Sequence, residues 1–214
     1  MKPNNIVVRV RLSVCAAIVL TLLCACSSLV PPPPPAENIY LLEAGKNSTP
    51  PVLSGSARYN VVLAVSMPHA RPGFDTAQMV WLRQPHKLEV YARNRWADTP
   101  AQMLAPQLAH ALERAGVFQA VVQTPSAVAA GLRLDTELIR LQQDFTAKPS
   151  RVQLTLGVQL IDVATRRVIA SAEFDESEPA PTEDAYGGVL AANHALGRLL
   201  AKVVAFCVEH APPA

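Results

Sequence analysis

The stretch "VQLTLGVQLIDVATRRVIASAEF", residues 152–174, decides the fold class. Val152, Leu154, Leu156, Val158 and Leu160 recur every second residue, with Gln153, Thr155 and Gln159 between them. Successive side chains of a strand point to opposite faces, so this alternation predicts a strand with one apolar and one wet face. After a turn around Ala164 to Arg166, the residues Val168, Ala170, Ala172 and Phe174 repeat the rule. The pair reads as an antiparallel hairpin.

Working outward, "LRLDTELIRLQQDF", residues 132–145, alternates through Leu132, Leu134, Thr136 and Leu138. The phase then shifts to Ile139 and Leu141, which predicts a bulge near that point. "YNVVLAVSMP" from Tyr59 is a continuous apolar run, the mark of a buried strand. "MVWLRQPHKLEVYARNRW" splits into two strands around a four-residue connection, Gln84 to Lys87. "NIYLLEA" and "VFQAVV" read as shorter strands.

Two helices complete the set. Thr99-Pro100-Ala101-Gln102 places a hydroxyl at the N-cap, proline at the first helical position and Gln at the third, the pattern of a capping box. Met103, Leu104, Leu108, Ala111 and Leu112 make the apolar stripe, and Gly116 closes it. A Pro-rich acidic segment, "DESEPAPTED", reads as a loop leading to a long C-terminal helix. There Val189, Ala192, Leu196, Leu199, Val203 and Phe206 share one stripe. The expectation is a single α+β domain: an antiparallel sheet with two main helices packed on one face.

The N-terminus carries different information. Lys2, Arg9 and Arg11 precede an apolar run from Val14 to Ala25. That run falls short of the ~20 residues that span a bilayer, so it reads as a secretory leader. Leu23-Cys24-Ala25-Cys26 resembles a bacterial lipobox, which implies cleavage before Cys26 and acylation of its thiol. An ordinary signal peptide with an accidental cysteine, and a retained signal anchor, are the alternatives. The resemblance also implies a sorting rule, in which Asp after the cysteine holds the protein at the inner membrane; Ser27 and Ser28 stand there instead, so the outer membrane is expected. Pro31 to Pro35 favour polyproline II and make a stiff spacer of roughly 15 Å. The expected division is a signal peptide over 1–25, a lipidated N-terminus and Pro-rich linker over 26–38, and the domain over 39–214.

Cleavage also changes the charge. The precursor has 19 basic residues and 17 acidic ones. Three basic residues leave with the leader, so the mature chain has a net charge of −1 and gives no argument for nucleic-acid binding. Cys15 and Cys24 leave as well, and Cys207 remains without an intramolecular disulfide partner.

The motifs of catalysis are missing. Histidines 69, 86, 110, 194 and 210 lack metal-ligand spacing, and there is no G-x-S-x-G, Walker A or G-x-G-x-x-G. The expectation is no enzyme activity, no cofactor and no metal. His194 reads as a helix-side residue more readily than a proton donor. Glu173, Asp175, Glu176 and Glu178 read as a solvated loop more readily than a paired-carboxylate site. Cys207 falls on the apolar flank of the last helix and reads as an inert core thiol.

"YARNRWADTPAQML", residues 91–104, sets two arginines and a tryptophan between a strand and a helix. Arg and Trp dominate protein interfaces, so Arg93, Arg95 and Trp96 are the candidate partner-binding residues. The alternative places Trp96 in the core with the arginines solvated beside it.

Those residues also carry a resemblance. Tyr91, Asn94, Arg95, Trp96 and Ala97, then Pro100, Met103 and Leu104, resemble the ABC-type transport auxiliary lipoprotein family, which includes the lipoprotein of the paraquat-inducible system. The early "IYLL", "LRLDTELIRLQQDF", the hairpin stretch "VQLTLGVQLIDVATRRVIA" and "GGVLAANHALGRLLAKVVAF" follow in the family's order. The resemblance implies a non-enzymatic, outer-membrane-anchored periplasmic part of a transporter that moves phospholipids or other hydrophobic molecules between membranes. It implies a mammalian-cell-entry (MCE) domain protein as partner, and self-association. It brings no catalytic residues. The competing readings are a stand-alone periplasmic lipid-binding module, which needs a cavity of several hundred Å3, and an envelope assembly factor or enzyme on the same fold.

Overall fold

The computed structural model describes residues 36–45 and 59–212. Cys26, the leader and the proline run lie outside the described residues, as does most of the predicted loop over 44–58. The described residues from Glu37 onward form one compact unit.

Strand β7 (Leu132–Asp144) organises the sheet. One of its edges holds β8 (Arg151–Asp162), which holds β9 (Arg167–Pro179). Both pairings are antiparallel, as the alternation predicts. The other edge of β7 takes three shorter strands end to end: β2 (Tyr59–Val65), β3 (His69–Ala70) and β4 (Gln78–Gln84). A 13-residue strand extends about 43 Å at ~3.3 Å per residue, which leaves room for all three. Beyond β2 lies β6 (Phe118–Gln123), and beyond β4 lie β5 (Lys87–Trp96) and β1 (Asn38–Tyr40).

The expected antiparallel pairings dominate the sheet, and parallel ones join them, so the sheet is mixed. The long hairpins are antiparallel, but β2, β3 and β4 run parallel to β7, β6 to β2, and β1 to β5. Side-chain alternation has no direction, so it cannot distinguish the two. The uninterrupted burial of Leu63, Ala64 and Val65 is the mark of a strand covered on both faces, as parallel strands are.

The bulge in β7 is present. Leu138 faces Leu156 but Arg140 faces Thr155, so Ile139 is the extra residue. Leu141 joins the core, while Ile139 lies against Gly157 on the other face. A second bulge near Ile169 carries Val168 out of the apolar series and into solvent. The hairpin between β4 and β5 is tighter than expected: Gln84 pairs with Lys87, and His86 takes a left-handed φ of 66°.

Helix α1 (Pro100–Ala115) has its expected ends. Thr99 Oγ1 accepts from Gln102 N at 3.4 Å, and Gly116 adopts φ 66° as the C-cap. The reciprocal arm of the capping box is replaced, because Thr99 N donates to Asp98 at 2.6 Å. Helix α2 (Ala185–His210) starts at Asp184, whose side chain accepts from Gly187 N at 2.7 Å. This helix is long and apolar enough to cross a membrane by length and composition, but its stripe is buried in the domain. It packs on β8 and β9, and α1 packs on β6 and on α2. Both helices therefore cover one face, and Leu104, Leu108, Leu154, Leu156, Leu160 and Leu196 fill the core between the layers.

Candidate docking face

The Tyr91-to-Ala97 segment is where β5 meets β1, and most of its side chains hold the fold. Trp96 is 3% exposed and sits in the core. Its backbone N–H donates to Ala77 O at 2.8 Å, and Ala97 N donates to Tyr40 O at 2.7 Å. Asn94 Oδ1 accepts from Asn38 at 3.0 Å and from the Tyr40 hydroxyl at 3.4 Å. These bonds fasten β1, the strand nearest the N-terminus, to the sheet.

Tyr91 points inward. Its hydroxyl donates to Gln143 Oε1 at 2.8 Å, and Gln143 Nε2 donates to Ser150 Oγ at 2.9 Å. Ser150 N donates to Glu183 at 2.8 Å. Burial is the main cause that pushes the Tyr91 hydroxyl up to about 12. A Cβ on Gly188 would stand 2.3 Å from Gln143 Oε1, so this glycine lets α2 approach the chain of polar groups. A small cavity of about 10 Å3 lies here, lined by Met79, Tyr91, Trp96, Leu141 and Gln143.

The outward face is different. Ile39 pairs with Arg95, so Ile39, Leu41 and Arg95 share the side opposite Tyr40, Leu42 and Trp96. Ile39 is 55% exposed and Leu41 60%. Arg95 Nε donates to Glu37 at 3.1 Å in an exposed ion pair. Arg93 is exposed just before them and makes no ion pair with the described residues. The structure thus sets Arg95 beside Ile39, places Trp96 on the opposite, core side, and leaves Arg93 exposed where β5 departs from regular register between Val90 and Arg95. The apolar partners of these arginines, Ile39 and Leu41, were missed in the sequence. Their signal was the run "IYLL": only two of its four residues can face the core of an alternating strand.

Asn193 was also missed. Its side chain accepts from Glu43 N at 3.0 Å and donates to Leu41 O at 3.4 Å, clamping the strand's exit to α2. The neighbouring His194 is exposed on the helix side and stands 3.6 Å from Glu178.

The acidic segment is not a solvated loop. Strand β9 continues to Pro179, and Phe174, Glu176 and Glu178 turn inward. The Glu176 side chain is 7% exposed and meets Arg198 at 2.7 Å and Lys202 at 2.6 Å. Burial pushes its carboxyl up, but hydrogen bonds from Lys202 and Arg198 outweigh burial and hold it below the ordinary range. Arg198 also reaches Glu178 at 2.7 Å. This network joins strand to helix. Cys207 is fully buried, and burial pushes its thiol up to about 12. Among the described residues, no group of three or more His, Cys, Asp or Glu is placed to hold a metal.

The fold recurs in solved structures. A Xanthomonas campestris protein of the DUF330 family is similar over 81% of this chain and 96% of its own, with TM-score 0.69 and 20% identity. A hypothetical protein from Chlamydia trachomatis aligns over 71% of this chain and 98% of its own, with TM-score 0.51 and 10% identity. At these identities the likeness concerns the fold alone. No curated protein matches in sequence. Residues 40–204, from the β1 edge through most of α2, match the ABC-type transport auxiliary lipoprotein component family, and the chain belongs to that family.

Proposed function

We propose that this lipoprotein is a non-enzymatic docking component of an ABC-type transporter that moves phospholipids or other hydrophobic molecules between the two membranes. Its leader is cut before Cys26, the acylated Cys26 holds it at the periplasmic face of the outer membrane, and an MCE-domain protein is its partner. The observation that carries the docking role is the outward face of β1 and β5. There two large apolar side chains, Ile39 and Leu41, lie exposed on the side of Arg95, and Arg93 is exposed two residues before it, with no described element covering them. Apolar anchors rimmed by Arg are what partner-binding surfaces use. On this reading Trp96 acts from below, by holding β5 in place.

The docking reading is supported over a stand-alone lipid carrier. A bound acyl chain needs several hundred Å3 of apolar space, whereas the space beside Tyr91 and Gln143 is about 10 Å3, and the larger hollows, about 480 Å3 and 530 Å3, are surface grooves lined by charged and polar side chains such as Arg71, Asp135, Glu137 and Glu173 in one and Gln107, His110 and Glu113 in the other. Self-association through the same face or another belongs to this reading as well. The test is co-purification of the protein with the MCE protein of its transporter. Arg95→Glu is expected to reduce retention at least tenfold, the equivalent of about 1.4 kcal/mol. Unchanged retention of the charge-reversed protein would remove this face from the docking role.

A further inference from the structure

A strand at the end of a sheet offers a row of unpaired N–H and C=O groups to any other strand, and proteins blunt such edges with charge, bulges, proline or brevity. The other terminal edges of this sheet are blunted. Strands β1 and β3 are three and two residues long. Beyond the reach of β1, the edge of β5 carries Lys87, Glu89 and Arg93 and leaves regular register before Arg95. Strand β9 has a bulge near Ile169, four acids between Glu173 and Glu178, and Pro179 at its end. Strand β6 has none of these devices. Its six residues, Phe118 to Gln123, include no charge, proline or glycine. Among the described residues it pairs with β2 alone.

The outward side of β6 follows from its pairing. Thr124 N donates to Val65 O at 2.9 Å, which turns the main-chain groups of Thr124, and by alternation those of Val122 and Ala120, toward β2. The main-chain groups of Gln119, Val121 and Gln123 therefore point away from the sheet. The side chains of Val121 and Gln123 lie on the helix-covered side, where with His110 and Glu113 of α1 they line the open groove of about 530 Å3. Ala120 and Val122 face the other way. This order is nearly symmetric about Val121. Set antiparallel to a second β6, with the helix-covered faces on one side, Val121 falls opposite Val121, Gln119 opposite Gln123, and Ala120 opposite Val122. The outward main-chain groups then coincide as hydrogen-bonded pairs, about six bonds in all. No like charges meet, and β-branched valines suit the pleated surface at the axis.

We propose that β6 pairs with the β6 of a second copy of this chain about a two-fold axis through Val121, joining the two sheets edge to edge. Such a contact uses the same patch on both copies and closes on itself. Both α1 helices then lie on one side of the joined sheet. The pairing goes beyond the self-association included in the reading above, because it fixes the surface, the symmetry and the register. Strands β1 and β5 lie at the other end of the strand order, so the Arg95 face takes no part and the docking role and the pairing fail separately.

The full-length chain carrying Val121→Cys, expressed with its leader in a bacterium with two membranes, is expected to run as a disulfide-linked dimer on non-reducing gels. Opposed Cα atoms of a hydrogen-bonded pair stand ~5.5 Å apart, within disulfide reach. Native Cys207 is buried, and Ala164→Cys at the exposed β8–β9 turn is expected to stay monomeric. A second experiment reads the register. Gln119 and Gln123 are both exposed, so the fold tolerates charge at either. Gln119→Lys with Gln123→Lys sets lysine against lysine twice across the axis, whereas Gln119→Lys with Gln123→Glu sets lysine against glutamate twice. In sedimentation of the purified acylated protein in density-matched detergent, the dimer dissociation constant is expected to be at least about tenfold higher for the first pair than for the second. Equal constants would overturn the register, and the proposal with it. A Val121→Cys chain that stays monomeric, or that links to a different protein, overturns the second copy as the occupant. Dimers as abundant from Ala164→Cys as from Val121→Cys would show collision alone and overturn it as well.

Discussion

Replacing Glu176 with Gln should cost the domain about 2–3 kcal/mol. The side chain is nearly buried between β9 and α2, and it accepts from Arg198 Nε at 2.7 Å and Lys202 Nζ at 2.6 Å. A hydrogen bond to a charged group contributes ~1.5–3 kcal/mol net, so two such bonds set an upper limit near 6 kcal/mol. Two features lower the loss. Arg198 retains Glu178 at 2.7 Å, and both cations are about half exposed, so neither is stranded in the core. Gln also keeps the shape of the carboxylate and one acceptor oxygen. For a domain of this size 1 kcal/mol shifts Tm by ~2–4 °C, so thermal unfolding at pH 7 should fall by roughly 5–10 °C. The pH dependence has a definite sign. The folded carboxyl titrates below its unfolded value of ~4.3. Its contribution is therefore complete above that value and disappears as pH falls through the lowered folded value. The Tm gap between wild type and Glu176→Gln should hold from pH 7 to pH 5 and close below about pH 4. A gap under ~2 °C at pH 7 would show that the network adds little. A gap that persists undiminished at the acid end would show that packing, not charge, is what Gln disturbs.

Gly188→Ala places a Cβ 2.3 Å from Gln143 Oε1, so Gln143 must swing away from Tyr91 and Ser150. Urea unfolding should show a loss of about 2–3 kcal/mol, since overpacking combines with broken buried hydrogen bonds. Cys207 should resist a thiol reagent in the folded mature protein at pH 8, because burial both shields it and raises its pKa to about 12. It should react at once in denaturant, and fast labelling of the native protein would contradict its place in the core.

The sequence legibly encoded whatever depends on local pattern. Alternation in residues 152–160 marked the core face of β8, and every one of its five apolar residues is buried. The break after Leu138 marked the bulge, because one extra residue inverts the phase of all that follow. Thr99 and Gly116 marked the ends of α1 through chemistry confined to one turn. The run of acids from Glu173 to Glu178 misled for a physical reason. Charge and proline suggest solvent, but Glu176 tolerates burial because Arg198 and Lys202 come from another element more than 20 residues away.

The candidate docking face lay between these limits. Local composition pointed to Arg93 and Arg95, and left Trp96 undecided between surface and core. Only the pairing of β1 with β5 brings Ile39 beside Arg95 and sends Trp96 inward. By itself, then, the sequence determined the α+β class, the core faces of the long strands, the helix ends and the family. Tertiary structure alone decided the parallel joining of β2, β3 and β4 to β7, the burial of Glu176, and which side of the 91–97 segment meets solvent. Periodicity records how a side chain alternates along its own strand, whereas strand direction and the partner of a buried charge are set by residues far away in the chain.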